Sequence, residues 1–296
     1  GPRQGSVPLF LANSREETLP ANQTNPQELP ERLGDFKLHR IVSPIAGFYD
    51  GRGANASLHT QLPFGHYVYV RENEAARSLT ARTIDEYFNG VVWREDVEPF
   101  ERNLPATHRL RHSTVVWRDE RPQSAPAMRL PINALVRAEG EEGSRTKLAK
   151  GWILTSALVP LEQYPDDPAT VALAQKGNPY VWGVLDEYYD CSGLVKTALF
   201  AAGIDVPHSA AGILKHLRGK HLPLDVPRFS HLQRNDVVFW EGHVGLMASS
   251  QHLVHAKATP VWKVECIDLM REVVRQREQG GSDVLAIIRP KLPRAH

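Results

Sequence analysis

The chain has 296 residues, enough for two domains at roughly 150 residues each, or for three if some are small. Its 35 basic and 34 acidic residues leave a formal net charge of +1, which argues against binding to nucleic acid or to an anionic membrane surface. Hydrophobic residues make up 42% and charged residues 23%, as in globular proteins, and no apolar run reaches the roughly 18 residues of a membrane-spanning helix.

Residues 1–35 are expected to form an irregular leader that packs on a later part of the chain. They are rich in Asn, Gln, Glu, Pro and Thr, and Pro20, Pro26 and Pro30 interrupt any helical period. The first twelve residues lack a basic segment followed by a sustained apolar core, so we do not expect an intact secretory signal peptide there.

Two stretches of short, alternating apolar segments follow, at residues 36–104 and 105–162. Strands are predicted where such segments are bounded by turn residues. They lie at residues 65–70 and 90–93 in the first stretch and at residues 114–117, 134–138 and 151–154 in the second. A barrel of roughly 55 to 60 residues is a usual minimal domain, so we predict two small all-β barrels.

Residues 163–296 show a different pattern. Asp167 followed by Pro168 marks a helix N-terminus and predicts a helix over residues 169–176. A second helix begins near Cys191, because apolar residues follow at helical spacing as far as the stop at Gly203. The remaining predicted elements are an antiparallel meander of strands at residues 237–240, 243–247, 252–256 and 261–266, a helix at 269–279 and a strand at 284–289.

Cys191 is the candidate nucleophile. At the start of a helix its sulfur faces unpaired backbone N–H groups and the positive end of the helix dipole, which favour the thiolate over the thiol. Its neighbours Asp190, Ser192 and Gly193 are polar or small, which would be poor choices for a core position. Cys266, in an alternating strand without such neighbours, is expected to be inert.

His243 and His255 are the candidate base and orienting group that a cysteine nucleophile needs. They lie in consecutive predicted strands, so a hairpin through residues 249–251 can bring the two imidazoles side by side. We assign His208 and most other histidines to surface or structural roles. The histidines lack the spacing of a tetrahedral ligand set and no phosphate-binding glycine-rich loop occurs, so we expect neither a metal nor a cofactor.

Six segments in this region resemble, in order, the landmarks of the NlpC-type cell-wall cysteine peptidases. They begin at Asn178 (NPYVWG), Asp190 (DCSGLV), Gly203 (GIDVP), Asn235 (NDVVFW), Gly242 (GHVG) and Leu253 (LVHA). That family has a papain-like fold and cleaves amide bonds in peptidoglycan stem peptides. The resemblance implies that Cys191 is the nucleophile, His243 the general base and then acid, and His255 the orienting residue.

The resemblance also implies a substrate-binding set. Tyr180 matches a position that binds the substrate or the oxyanion near the cysteine, and Asp190 and Ser192 match positions on the substrate's N-terminal side. Trp182 and Ser209 complete the set. Ser209 lies where many relatives carry Pro-Arg-Asp-Ser, but this chain reads Pro-His-Ser-Ala at residues 207–210 and lacks the arginine.

The two β stretches resemble bacterial SH3 domains, whose closing Gly-Trp-Val reads Gly-Val-Val at residues 90–92 and Gly-Trp-Ile at residues 151–153. In multidomain relatives an aromatic residue of the first module lines the substrate site. Tyr87 or Phe88 is expected in that role, the alternative being an aromatic residue of the barrel core. The expected fold is therefore α+β and multidomain, with SH3-like barrels at residues 36–104 and 105–162 and a papain-like domain at residues 163–296.

The function implied is an endopeptidase that hydrolyses the γ-D-glutamyl-L-diamino acid (diaminopimelate) bond of stem peptides with a free N-terminal L-alanine. A short linker at residues 162–167 favours docking of a barrel at one end of the cleft, and Asp190 offers a charge for the alanine ammonium. Two alternatives stay open: an amidase or acyltransferase with a different acyl substrate, and a non-catalytic cell-wall-binding protein. We expect a monomer, in an extracytoplasmic compartment if a signal peptide has been removed and otherwise in cytoplasmic peptide recycling.

Overall fold

The structure, a computed structural model, describes residues 27–53, 55–71, 75–85, 88–163 and 166–293. Strands β1 to β8 form the first β region and strands β9 to β16 the second, while helices α1 to α4 and strands β17 to β22 form the C-terminal region. None of the helices in these described ranges is long and apolar enough to cross a membrane.

The first β region is one antiparallel sheet of order β1-β2-β5-β6-β7-β3-β4, in which β8 also pairs with β2. Every second residue of β3 and of β6 is buried, the pattern of strands with one face on a core. The strands are β1 (Arg32–Leu33), β2 (Phe36–Ile41), β3 (Ile45–Tyr49), β4 (Leu58–Pro63), β5 (Tyr67–Arg71), β6 (Ser78–Arg82), β7 (Asn89–Trp93) and β8 (Val97–Pro99).

The end of the predicted leader belongs to this sheet. β1 lies before residue 36, where the sequence placed the first barrel's start, and it pairs with β2. Leu29 is buried beside Phe36 and Tyr69, so this part of the leader packs on the chain as expected. The rest of the predicted leader, residues 1–26, lies outside the described residues.

The second β region has two small sheets, of order β11-β10-β15-β14-β13 and β12-β9-β16. They enclose a core that includes Leu110, Val116, Leu130 and Ile153. The strands are β9 (His108–Leu110), β10 (Thr114–Trp117), β11 (Pro126–Leu130), β12 (Leu135–Val136), β13 (Gly140–Glu142), β14 (Arg145–Leu148), β15 (Gly151–Leu154) and β16 (Leu158–Pro160).

The C-terminal region is built on a six-stranded antiparallel sheet of order β17-β22-β18-β19-β20-β21. Its elements are α1 (Pro168–Ala174), α2 (Cys191–Ala201), α3 (Ala210–His216), β17 (Gly219–His221), β18 (Val237–Trp240), β19 (His243–Met247), β20 (His252–Lys257), β21 (Lys263–Asp268), α4 (Leu269–Glu278) and β22 (Ala286–Pro290). The predicted meander β18 to β21 is confirmed, as are both predicted helix starts, with Asp167 and Asp190 as N-caps.

Both faces of this sheet are covered at its centre, which explains why β18 is wholly apolar. In β18, Val237 and Phe239 pack in the core that contains α1 and α2, whereas Val238 and Trp240 pack in the core that contains α4. The alternation continues through β20 and β21, so polar side chains on the α4 face lie between the sheet and α4. The candidate histidines are found there.

Candidate active site

Cys191 is the first residue of α2, directly after the N-cap residue Asp190. Its side chain is buried, and its Sγ lies 3.9 Å from the carbonyl oxygen of Gly242. Because Gly242 directly precedes His243 at the start of β19, the fold brings the helix start and the histidine strand together.

The charge state of Cys191 differs from the sequence-based expectation. Burial, together with the negative charge of Asp190, raises the pKa of the Cys191 thiol to about 12, although the backbone N–H groups of Val244 and Ser192 act in the opposite direction. The helix start does favour the thiolate, but desolvation outweighs it. The resting cysteine is therefore a thiol and needs a base.

His243 and His255 form a hydrogen-bonded pair, as the predicted hairpin requires. Nε2 of His243 lies 2.8 Å from Nδ1 of His255, and the ring centroids are 5.0 Å apart. Burial keeps the pKa of His243 well below 6.5, and electrostatic interactions with His255, Lys257 and Arg275 lower it further. The resting His243 is thus neutral and able to accept a proton.

A charged cluster that the sequence analysis did not find lies behind His255. Nε2 of His255 is 3.2 Å from a carboxylate oxygen of Glu265, and Arg275 forms ion pairs with both Glu265 and Glu272. Lys257 pairs with Glu272 at 3.5 Å. Glu265 could have been found from the strand register, because it is the cross-strand partner of His255. That pairing becomes apparent only once the register between β20 and β21 is known.

Asp190 is almost fully engaged by the protein itself. Its Oδ1 accepts hydrogen bonds from the backbone N–H of Gly193 (2.6 Å), the Ser192 hydroxyl (3.1 Å) and Nε2 of His208 (2.9 Å), and its Oδ2 accepts from the N–H of Gly183 (2.7 Å). Burial opposes ionisation, yet these donors lower the pKa of Asp190 below its usual value. The carboxylate therefore shapes the helix start and has one free acceptor position, on Oδ2.

The contacts of His208 with the first β region and with Asp190 were also not predicted from the sequence. His208 is buried, and its Nδ1 lies 2.7 Å from the hydroxyl of Thr60 on β4. Leu185 also donates its N–H to Gln61 on the same strand at 3.1 Å. The first β region thus contacts the chain on both sides of Cys191, through links that a sequence pattern does not reveal.

The candidate substrate-binding residues differ in how far their side chains are exposed. The hydroxyl of Tyr180 lies within electrostatic range of Cys191 and Asp190, since burial raises its pKa and interactions with those two residues raise it further. Trp182 is 66% exposed and is available to a ligand. Ser192, by contrast, is buried against Asp190.

Ser209 is the N-cap of α3, where its hydroxyl accepts from the N–H of Gly212 at 2.9 Å. Phe88 packs on the core of the first β region and stacks on His59, with ring centroids 3.8 Å apart. The charges of His208 and Asp190 both affect the pKa of His59, so the stack flanks the helix start. Tyr87 lies outside the described residues.

Within the described ranges, His243, His255 and Glu272 present ligand atoms that lie within 4.8 Å of one another. These atoms are committed to other partners: the two histidines bond each other, and Glu272 pairs with Arg275 and accepts from Gln276 at 2.9 Å. A cation would have to displace the Arg275 guanidinium, so the cluster fits a hydrogen-bonded relay better than a metal site.

A buried cysteine at a helix start, close to the residue that precedes His243, and a neutral histidine hydrogen-bonded to a second histidine are the residue types that cysteine-dependent acyl transfer needs. Residues 177–279 match the model of the NlpC/P60 family, so the C-terminal region contains an NlpC/P60 domain. None of the curated proteins compared with the chain matches it significantly.

Among solved structures, an NlpC/P60 family protein from Bacillus cereus aligns with a TM-score of 0.68 at 15% identity, covering 87% of this chain and 100% of that one. The two proteins therefore share a fold that includes both β regions. NlpC2 from Trichomonas vaginalis aligns with a TM-score of 0.43 at 17% identity, over 88% of this chain and 99% of that one. The Mycobacterium tuberculosis protein RipB, described as a peptidoglycan hydrolase, aligns with a TM-score of 0.32 at 23% identity, over 42% of this chain and 62% of that one.

Proposed function

We propose that this protein is a cysteine endopeptidase that hydrolyses the γ-D-glutamyl-L-diamino acid bond of peptidoglycan stem peptides. The observation that carries the proposal is the placement of Cys191 at the start of α2, next to β19, with the His243–His255 pair on the neighbouring strands of an NlpC/P60 domain.

The reaction follows from the states of these groups. Because Nε2 of His243 bonds His255, its Nδ1 is the nitrogen that takes the proton of Cys191. The thiolate attacks the γ-carbonyl carbon, His243 then protonates the departing amino group of the diamino acid, and water hydrolyses the thioester. The Tyr180 hydroxyl and the backbone N–H of Cys191 are the proposed donors to the oxyanion.

In this proposal the chain consists of a leader (1–35), two SH3-like domains (36–104 and 105–162) and the papain-like peptidase (163–296). The grouping of strands supports the boundary between the two β domains, since the first sheet ends at Pro99 and the second region spans residues 108–160, whereas β1 places residues 32–33 in the first sheet. The likeness to the Bacillus cereus protein, which extends over both β regions, supports it further.

We further propose that the substrate carries a free N-terminal L-alanine. Thr60 and Gln61 of β4 contact the residues around the start of α2, so the first β region closes one end of the cleft. The alanine ammonium then lies at that closed end, near the free acceptor position of Asp190 and the exposed face of Trp182.

The test is mass spectrometry of L-Ala-γ-D-Glu-diaminopimelate incubated with the full chain, with Cys191→Ala as the matched control. We expect release of diaminopimelate by the parent and none by the variant. Release of a different product, or transfer of the acyl group to an added amine, would favour the amidase or acyltransferase alternative, and binding without turnover would favour a wall-binding protein.

The free N-terminus is tested separately with the same peptide acetylated at alanine. Acetylation leaves the buried Asp190 carboxylate without the alanine ammonium, and an unpaired buried charge costs about 2 to 4 kcal/mol. The kcat/KM for the blocked peptide should fall by the factor that corresponds to this free energy. Equal kcat/KM for the two peptides would contradict the closed cleft while leaving the bond specificity intact.

A further inference from the structure

Glu265 occupies a fixed position directly behind the histidine pair. The register of β20 and β21 makes it the cross-strand partner of His255, so the sheet itself sets the contact between the two residues. The Oε1 atom of Glu265 lies 3.2 Å from Nε2 of His255. The NH2 group of Arg275 of α4 donates to the same oxygen.

The Glu265 carboxylate is a permanent acceptor. Its hydrogen bond with His255 and its contact with Arg275 lower the pKa of Glu265 to about 2, although burial acts against ionisation. At neutral pH it carries no proton and can only accept hydrogen bonds.

The Glu265 carboxylate can set the direction of the hydrogen bonds that link it to His255 and His255 to His243. If Nε2 of His255 donates to Glu265, its Nδ1 has a lone pair and accepts from Nε2–H of His243. The neutral His243 then has no proton on Nδ1, the nitrogen that would deprotonate Cys191.

Arg275 offers the opposite direction. Its NH2 group lies 3.3 Å from Nε2 of His255, and a guanidinium can only donate. If it donated there, His255 would donate from Nδ1 to His243, and His243 would carry its proton on Nδ1, which would then have no lone pair to accept the proton of Cys191. The same NH2 group however donates to Glu265 and is ion-paired with Glu272, and these charged carboxylates compete with the neutral imidazole for its donors.

We propose that Glu265 is a positioning residue that fixes the tautomers of His255 and, through it, of His243, so that Nδ1 of His243 is held as the unprotonated base. The proposal rests on the proposed function only in naming Cys191 as the proton donor. It extends the site from three side chains to four.

The charged groups around the relay balance one another in number. Glu272 lies 3.9 Å from Nε2 of His255, and its Oε1 is 3.5 Å from Nζ of Lys257. The two carboxylates, Glu265 and Glu272, thus face two cations, Arg275 and Lys257, around His255.

The experiment is nitrogen NMR of the full chain labelled with [15N]histidine, without substrate, because protonated and unprotonated imidazole nitrogens have well-separated shifts. The resonances are assigned by comparison with His243→Ala and His255→Ala. We expect protons on Nε2 and none on Nδ1 in both histidines, and a reversed or mixed tautomer of His255 in Glu265→Gln.

Two further readouts accompany the spectra. Glu265→Gln should lower kcat/KM, and the rate at which iodoacetamide alkylates Cys191, by roughly 10- to 100-fold, as for residues that orient a ligand or base from behind. Glu265→Asp, which keeps the acceptor, should restore part of both. The matched control is Asp283→Asn, which removes an exposed carboxylate paired with Arg277 and should leave the spectra and both rates unchanged.

A parent protein with protons on Nδ1 of His243 and His255 would overturn the proposal, and it would do so even if Glu265→Gln failed to fold. Parent-like tautomers and alkylation rate in a folded Glu265→Gln would overturn it equally. The expected tautomers in a parent that cleaves no stem peptide would instead support the relay and contradict the proposed function.

Discussion

In the proposed mechanism Cys191, His243 and His255 act as nucleophile, base and orienting group, so their substitution should reduce peptide cleavage in a graded order. Cys191→Ala should abolish turnover. His243→Ala should lower kcat/KM by about 10² to 10⁴, the usual contribution of a general base. His255→Ala should cost only about 10- to 100-fold, because water can replace part of an orienting group.

The measurement is kcat/KM on a stem tripeptide, with thermal unfolding recorded for each variant to confirm that the fold is retained. A larger loss for His255→Ala than for His243→Ala would exchange the roles of the two histidines. Turnover within tenfold of the parent in both Cys191→Ala and Cys191→Ser would remove Cys191 as the nucleophile.

The raised pKa of Cys191 makes its reactivity depend on His243. Because the resting thiol has a pKa of about 12, little thiolate forms near neutral pH unless His243 takes the proton. We expect His243→Ala to slow iodoacetamide labelling of Cys191 by about tenfold or more. Labelling is followed by peptide mass spectrometry.

Cys266 is the internal reference for that experiment. It is half-exposed on β21, and its pKa is raised by burial with no contribution from His243. An equal slowing of both cysteines would indicate a general loss of structure, and no slowing of Cys191 would show that another group deprotonates it.

The positions of Cys191 and of the two histidines could be predicted from the sequence because their determinants are local. A helix start placed Cys191, and a hairpin between two strands placed His243 beside His255. The predicted low pKa of Cys191 was wrong, because the helix dipole is visible in the sequence whereas burial is a property of the packed molecule. Glu265 and His208 were missed for the same reason.

At the scale of elements, the start of α2 makes a sharp test of packing against propensity. Alanine is favoured over glycine inside a helix by about 1 kcal/mol, so Gly193→Ala should be stabilising on propensity alone. A Cβ at Gly193 would however lie 2.6 Å from the Val184 carbonyl oxygen and 2.9 Å from Nε2 of His208. We expect a net loss of about 1–3 kcal/mol in the free energy of unfolding.

Chemical denaturation of the variant gives this free energy, and Gly140→Ala is the matched control. A Cβ at Gly140 meets no atom within 4 Å, and its φ angle is not in the left-handed region. That control should change stability by less than about 0.5 kcal/mol. If Gly193→Ala were as stable as Gly140→Ala, the contact between Val184, His208 and α2 would be looser than described.

Elements with a strong start signal or a strong apolar pattern were predicted well, and elements without one were not. The helices α1, α2 and α4 and the strands β18 to β20 begin within one residue of their predicted starts. α3 and β17 were not predicted. α3 has seven residues, of which only Gly212 and Ile213 are buried, so it presents no apolar stripe long enough to be recognised in the sequence.

At the scale of the whole molecule, α2 is the element on which the three regions meet. The Asn133 side chain donates to the carbonyl oxygen of Thr197 at 2.9 Å, and the buried Arg109 donates to that of Ala201 at 2.7 Å. Lys196 pairs with Asp85 of the first β region at 3.5 Å. These contacts join residues far apart in the chain and carry no periodic signal, so sequence patterns predict the regions but not how they meet.

His66 lies at this junction and should make it sensitive to acid. Its Nε2–H donates to the Asn133 carbonyl oxygen at 2.9 Å, and its ring is 5.0 Å from that of Phe200 on α2. Burial lowers the pKa of His66 from 6.5 to about 4. Between these values the folded chain holds a neutral imidazole while the unfolded chain binds a proton. The stability that His66 contributes is therefore complete above about pH 6.5 and is lost as the pH falls toward 4.

The shift corresponds to a loss on the order of 2–3 kcal/mol across that interval, measured as the free energy of unfolding in denaturant at several pH values. Other groups titrate in the same interval, so the informative quantity is the difference between the parent and His66→Gln, which keeps an N–H donor but cannot be protonated. We expect a shallower pH dependence in His66→Gln, whereas His112→Gln, at an exposed histidine of the second β region, should follow the parent curve. If the free energy of unfolding fell with pH equally in the parent and in His66→Gln, protonation of His66 would make no contribution to the loss of stability. The burial of this histidine would then not couple the three regions to pH.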